Sequence, residues 1–208
     1  MSIKTFFSRA LAATTLGAAV FMAPAALAQS ASHTIVDPAQ PSDTAGKTEI
    51  LEFFAYSCPH CAAMEPLVEK WAGTLPEDTV LKRVPVAFNA SMADLQKLYY
   101  SLESLGRLDL HPAVFKAIHQ EHKRIYTQDA IIDWVAEQGV DKAKFESVFK
   151  SFGVQTKIAR ANELTETYGV QGTPSLAVGG KYLVSPSMTG SYQGTIDEAQ
   201  RLLDGLKQ

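Results

Sequence analysis

The feature that most constrains this fold is a pair of thiols at a strand-to-helix junction. TEILEFFAY (48–56) is a continuous run of strand formers, as expected for a strand buried on both faces. Ser57-Cys58-Pro59-His60-Cys61 follows at once, and the chain has no other cysteine. Pro59 suits the first position of a helix, where no N–H is needed. Met64, Leu67, Val68 and Trp71 then repeat at helical spacing, until Gly73 and Pro76 stop the pattern. A second strand-like run, TVLKRVPVAF (79–88), completes a βαβ unit.

Ahead of that unit, residues 1–28 read as a secretory signal peptide. Lys4 and Arg9 supply a positive start, an apolar stretch follows, and Ala26-Leu27-Ala28 is a cleavage signal after Ala28. Pro24 and the small residues around it argue against a spanning helix, which wants about 20 strongly apolar residues. Cleavage would take the net charge from −3 to −5, because it removes Lys4 and Arg9 and no acid. That balance, with no basic stripe, speaks against nucleic acid and against an anionic membrane surface as partners. It also places both thiols in an oxidising compartment. Residues 29–47, rich in Ser, Pro and Gly, read as a loose arm.

After residue 88 the pattern changes. Ser91 is expected to cap a helix carrying Leu95, Leu98, Tyr99, Leu102 and Leu105, ended by Gly106. Pro112 opens a second with Val114, Phe115 and Ile118. Residues 128–138 form a third, and Asp141 caps a fourth that runs to Gly153. No strand lies among them, so residues 89–152 read as a helical module set into an α/β domain made of 29–88 and 153–208. A helix over about 154–168 leads back. Ser175–Val178 and Lys181–Val184 then flank Gly179-Gly180, a two-residue hairpin signal. A final helix carries Ile196, Ala199, Leu202, Leu203 and Leu206 on one stripe.

What does Cys-Pro-His-Cys do here? As a structural crosslink it would close a ring of about four residues and contribute roughly 2 kcal/mol, against about 3 for a fifteen-residue loop. That is a weak staple for a domain of this size. Structural zinc wants four ligands, and His119 and His122, at i and i+3 of an expected helix, are the nearest supplement. Haem attachment needs His after the second Cys, where this chain has Ala62. Redox catalysis suits the context best. Cys58 at the helix start faces N–H groups without intrahelical partners and the positive end of the dipole. His60 adds a donor or a charge. Cys61, one turn in, is expected to be buried and to resolve. A stabilised thiolate stabilises the reduced form, so the disulfide becomes a stronger oxidant. An isomerase or reductase with the same pair, or a binding module that acts as chaperone or metal carrier, remains open on these residues alone.

EILEFFAYSCPHCAAMEP, a helical insert, and then GVQGTPSLAVGGKYLVSPSMTGS together resemble the DsbA-type thiol:disulfide oxidoreductases of the bacterial periplasm. The resemblance covers essentially all of the chain after residue 28. It implies a thioredoxin fold with an inserted all-helical domain. It implies a monomeric periplasmic oxidase that gives its disulfide to reduced, newly exported proteins, is reoxidised by a quinone-linked DsbB-type membrane partner, and needs no cofactor or metal.

The resemblance also marks further positions. Pro174, in Val170-Gln171-Gly172-Thr173-Pro174, matches the family's cis-proline and is expected beside Cys58, leaving backbone groups of Thr173 free to pair with a substrate strand. Thr173 stands where many of these oxidases carry Val. Glu52, six residues before Cys58, matches a buried acid of the wider superfamily. Burial should raise its pKa and let it exchange a proton with Cys61, with Glu65 joining the same charge network. Tyr56, Pro59 and Tyr192 are expected on an apolar rim around the thiolate. Met64 shares that expectation but fits the core equally well.

Overall fold

The computed structural model of the protein describes residues 31–207; the expected signal peptide lies outside the described residues. A five-stranded mixed sheet forms the centre. In chain order the strands are β1 (Thr34–Ile35), β2 (Thr48–Phe54), β3 (Thr79–Pro85), β4 (Ser175–Val178) and β5 (Tyr182–Val184), arranged β1-β5-β4-β2-β3. β2 and β3 run parallel, joined by helix α1 (Pro59–Ala72); β4 and β5 pair antiparallel, and β4 lies antiparallel to β2. β2 is therefore flanked on both edges and covered on both faces, which is why its sequence shows no polar alternation.

Side chains alternate across the sheet and sort into two cores. Ile50, Leu176, Val178 and Val184 meet Met64, Val68 and Trp71 of α1 and Ile196, Ala199 and Leu203 of the last helix. Leu51, Phe53, Ala177 and Leu183 belong to the larger core that continues into the helical insert. Phe54, at the end of β2, is edge-on to Tyr56, Tyr99 and His111, so the insert is sealed to the sheet by aromatic rings.

The insert comprises α2 (Ala93–Ser104), α3 (His111–His119), α4 (Gln128–Glu137) and α5 (Lys142–Phe149). Gln96 of α2 donates to the carbonyl of Pro85 at 2.8 Å and to Asn162 at 2.9 Å, tying the insert to the end of β3. Then come α6 (Phe152–Thr167), the short α7 (Pro186–Thr189) and α8 (Tyr192–Gly205). Asp141 caps α5 as expected, accepting from the Lys144 N–H at 2.6 Å.

Several boundaries differ from the sequence reading. Asn89, not Ser91, caps the first turn of the insert; it holds a 3₁₀ turn from which α2 starts at Ala93. Gly153 does not end α5. Ser151 caps a new helix there, accepting from Val154 N–H, and Gly153 lies inside α6. α3 stops at His119, and His122 has φ 54°, so the two histidines share no helical face.

The arm is not loose where it is described. β1 pairs with β5, and the backbone of Gln40 donates to the Gly180 carbonyl at 2.8 Å. Ser32 and His33 both reach Glu198 on α8. Gly179 and Gly180 have φ 57° and 71°, as a tight hairpin turn needs. At Gly180 the arm passes so close that a Cβ would lie 1.9 Å from the Gln40 carbonyl oxygen.

Candidate functional site

Cys58 is the N-cap residue of α1, with extended backbone (φ −87°, ψ 116°), Pro59 follows in the first turn, and no side-chain hydrogen bond caps the helix. The position that Ser, Asp or Asn would fill elsewhere thus carries a sulfur. Both cysteines are free thiols, Cys58 part-buried and Cys61 buried. The Cys58 pKa is lowered to about 5. The hydrogen bond from the Cys61 thiol is the main cause, joined by the backbone N–H groups of Cys61 and His60 and by Thr173, against the opposing effect of burial. Burial pushes Cys61 the other way, well above the ordinary thiol range, and the neighbouring Cys58 adds to it. One turn of helix therefore separates a ready thiolate from a reluctant one.

The second wall of the site comes from the loop before β4. The Thr173–Pro174 peptide is cis, as the resemblance implied. Cys58 Sγ lies 3.3 Å from the Thr173 carbonyl oxygen, so that carbonyl is the acceptor for the protonated thiol. Beside this contact opens a groove of about 1040 Å³, with Thr173, Pro174, His60, Tyr192, Met188 and Ile35 among its lining.

The His60 ring is paired away from the sulfur: its Nδ1 lies 2.7 Å from the Tyr192 hydroxyl, while its backbone N–H is among the groups that lower Cys58. The ring is exposed and turned towards α8, where Tyr192 offers a partner. Pro59 is exposed beside the sulfur, and Tyr192 is on the groove wall. Tyr56 is not on the rim. It is 1 % exposed, its hydroxyl 2.7 Å from His111 Nδ1 and its carbonyl accepting from His119 Nε2 at 2.8 Å. Its alternation with Ser57 turns the ring inward, and α3 offers it a polar partner there. Met64 is fully buried core.

Glu52 is 1 % exposed on β2. Its pKa is raised to about 8, by burial first and by the charge of Glu65 second, with Arg83 opposing. Arg83 Nε is 3.1 Å from Glu52, while its Nη2 reaches Glu65 at 2.7 Å and Glu69 at 2.6 Å. Arg83 and His111 were missed in the sequence. Arg83 stood beside Lys82 as one of two adjacent cations in β3, with nothing to single it out; His111, on an apolar helix face, carried no signal of its own.

Among the described residues no helix is long and apolar enough to cross a membrane, and no cluster of three or more His, Cys, Asp or Glu has metal-binding geometry.

Known proteins give the site its context. Residues 74–193 match the model of the DSBA-like thioredoxin domain family. The chain is 54 % identical over 202 residues to the thiol:disulfide interchange protein DsbA of Bordetella pertussis, covering 96 % of this chain and 97 % of that protein. The crystal structure of Pseudomonas aeruginosa DsbA superposes with a TM-score of 0.81 at 35 % identity, over 85 % of this chain and 93 % of that one. The oxidoreductase NmDsbA1 of Neisseria meningitidis follows with 0.75 at 28 %, over 88 % and 95 %. A dithiol on a helix N-terminus, a cis-proline loop facing it, and this degree of likeness over nearly the whole chain lead to one conclusion: the chain belongs to the DsbA family and is a thiol:disulfide oxidoreductase of the thioredoxin fold.

Proposed function

We propose that the protein donates its Cys58–Cys61 disulfide to reduced, newly exported proteins in the periplasm, through a mixed disulfide at Cys58. A substrate thiolate attacks Cys58 Sγ. The Cys58–Cys61 bond breaks, and Cys61 leaves with the electron pair and takes up a proton. The second substrate thiolate then attacks the substrate sulfur bonded to Cys58. The substrate disulfide forms, and Cys58 departs as a thiolate. Two electrons have passed from substrate to enzyme. A quinone-linked DsbB-type partner would accept them and restore the disulfide.

The observation that carries this reading is the place of Cys58 at the N-cap of α1, beside the Cys61 thiol, an arrangement that lowers its pKa to about 5. A good leaving group makes the last step fast, and a stable thiolate favours the reduced product. The ring closed by the disulfide contributes roughly 2 kcal/mol to the oxidised form. The thiolate stabilises the reduced form by about 2–3 kcal/mol, after discounting its shift for exposure to solvent.

Three further roles follow. Glu52, buried and protonated near neutral pH, supplies the proton that the buried Cys61 sulfur needs when it leaves. The groove beside Thr173 and Pro174 takes an extended segment of the substrate. Its mixed polar and apolar lining suits many sequences rather than one. Residues 89–152 act as the inserted helical domain, residues 29–88 and 153–208 forming the thioredoxin domain, and the enzyme works as a monomer after cleavage behind Ala28.

Refolding of a reduced, disulfide-requiring protein by the purified mature chain tests the function. Native disulfides should form with the oxidised enzyme and not with Cys58→Ser. Cys61→Ser should accumulate a mixed disulfide with an oxidised test protein. Failure of the oxidised enzyme to form disulfides would overturn the reading.

A further inference from the structure

Within the β2–α1–β3 unit that carries the dithiol, two buried carboxylates share one guanidinium. Glu52 on β2 and Glu65 on α1 both face Arg83 of β3, while Glu69, the third acid in reach, is 66 % exposed on its side chain and screened by water. Two buried anions against one cation leave an excess negative charge, which a low-dielectric interior removes by keeping a proton. The open question is which carboxylate keeps it.

The geometry favours Glu65 as the anion. Arg83 Nη2 donates to Glu65 Oε1 at 2.7 Å, and His111 Nε2 of α3 lies 3.3 Å from the same oxygen, close enough to act on its charge but not aligned as a hydrogen bond. Glu65 Oε2 and Glu52 Oε2 both lack a hydrogen-bond partner, but Glu65 keeps the bonded Oε1, whereas Glu52 has only Arg83 Nε at 3.1 Å, poorly aligned. The His111 tautomer follows from its other nitrogen. Nδ1 is 2.7 Å from the hydroxyl of the buried Tyr56. If that hydroxyl donates, Nδ1 accepts and Nε2 carries the hydrogen, 3.3 Å from Glu65 Oε1. The reverse tautomer would aim a lone pair at a carboxylate. A protonated ring would place a second buried cation beside Arg83. The groups facing His111 are Glu65 and Glu69 of α1, Arg83 of β3, Glu52 of β2, Tyr56 after it and Tyr99 of α2. None of these except Glu65 and Tyr56 reaches its ring nitrogens.

We propose that His111 is a positioning residue for the redox reaction: the Tyr56–His111–Glu65 chain holds Glu65 ionised and so leaves the buried proton on Glu52. The helical insert thereby sets the protonation of an acid in the thioredoxin sheet. The directions of the shifts agree. Glu65 is held below the ordinary carboxylate range despite burial, by His111 and Arg83, and Glu52 is raised. His119, whose ring nitrogen bonds the Tyr56 carbonyl, secures the same tyrosine from one helix end. The consequence for catalysis rests on the reading of Glu52 as the proton source for Cys61; the placement of the proton does not.

The test is by NMR of the reduced full chain. Nitrogen-15 shifts of His111 should report the neutral ring with hydrogen on Nε2 at pH 7. Carbon-13 carboxyl titration should place Glu52 near its raised midpoint. In His111→Phe that midpoint should fall by about one unit or more, a tenfold change in the ionisation constant. In His111→Gln, which keeps a donor, it should stay close to the unmodified value. An unchanged midpoint in His111→Phe, or a hydrogen on Nδ1 in the unmodified protein, would overturn the proposal. The tautomer decides the matter even if the Phe variant does not fold. The proton-source reading is tested apart, by the pH profile of Cys61 release in Glu52→Gln, so the two can fail separately.

Discussion

Cys58 Sγ and the Thr173 carbonyl oxygen lie 3.3 Å apart, although 115 residues separate them in the chain. One end of that contact belongs to the strand–helix junction of the first βαβ unit, the other to the loop before the hairpin. The thiol is therefore set between a helix terminus that favours its anion and a carbonyl that accepts only its protonated form. Oxidation or ionisation of Cys58 removes that donor and frees the Thr173 carbonyl.

The Thr173 side chain acts with the opposite sign, as one of the donors that lower Cys58. Thr173→Val removes the hydroxyl and keeps the shape. A hydrogen bond to a charged group is worth about 1.5–3 kcal/mol when buried and less at a part-exposed site. The Cys58 midpoint should rise by about one unit, and the disulfide should become less oxidising. Thr173→Ser should restore both. Thiolate absorbance and equilibrium with glutathione measure them.

Glu52 should make stability fall as pH rises. Its folded pKa, about 8, lies above the unfolded carboxylate value near 4.3. Between these values the unfolded chain has lost the proton and the folded one has kept it, so stability declines through that window and levels off above it. Urea denaturation of Glu52→Gln should lack this slope. The variant should gain a few kcal/mol over the unmodified protein at pH 8.5 and little at pH 5. Parallel pH profiles for the two would count against a raised Glu52.

Gly180→Ala should loosen the amino-terminal arm. The glycine has φ 71°, and an added Cβ would meet the backbone of Gln40 at 1.9 Å. Since backbone cannot swing aside as a side chain does, the Gln40–Gly180 hydrogen bond should break and β1 should leave β5. A loss of about 2–3 kcal/mol is expected, with proteolysis appearing first in residues 33–47.

Tyr192→Phe should release the His60 ring and leave the chemistry largely intact. The hydrogen bond is exposed, so its loss should cost under about 1 kcal/mol of stability. Because residue 60 contributes to Cys58 through its backbone N–H, the Cys58 midpoint should shift by less than about half a unit. A larger shift would restore the imidazole to the role its position in the motif suggested.

The strand–helix–strand unit, the hairpin at Gly179-Gly180 and the placing of Cys58 were legible because each has a local cause: a continuous apolar run, two residues with positive φ, a helix start. Non-local causes were not legible. Nothing within a few residues of Tyr56 says that α3, more than fifty positions on, offers it His111; an aromatic beside a reactive cysteine reads as a rim. The ring partner of His60 was hidden for the same reason, being Tyr192 on the last helix. β1 has two residues, too few for any period. Gly153 misled because a glycine after an apolar face signals a helix end, and Ser151 turns it into a beginning. Glu52 was legible only through resemblance: its neighbours predict burial, and the Arg83 that answers its charge lies on the next strand.

The central claim is that the amino end of α1, with the Cys61 thiol and Thr173, holds Cys58 as a thiolate. Titration of the reduced protein at 240 nm measures this directly, with Cys58→Ser as the blank. The expected result is a single midpoint near 5, absent from the blank. A midpoint near 8.5, the value of an unperturbed thiol, would contradict the account.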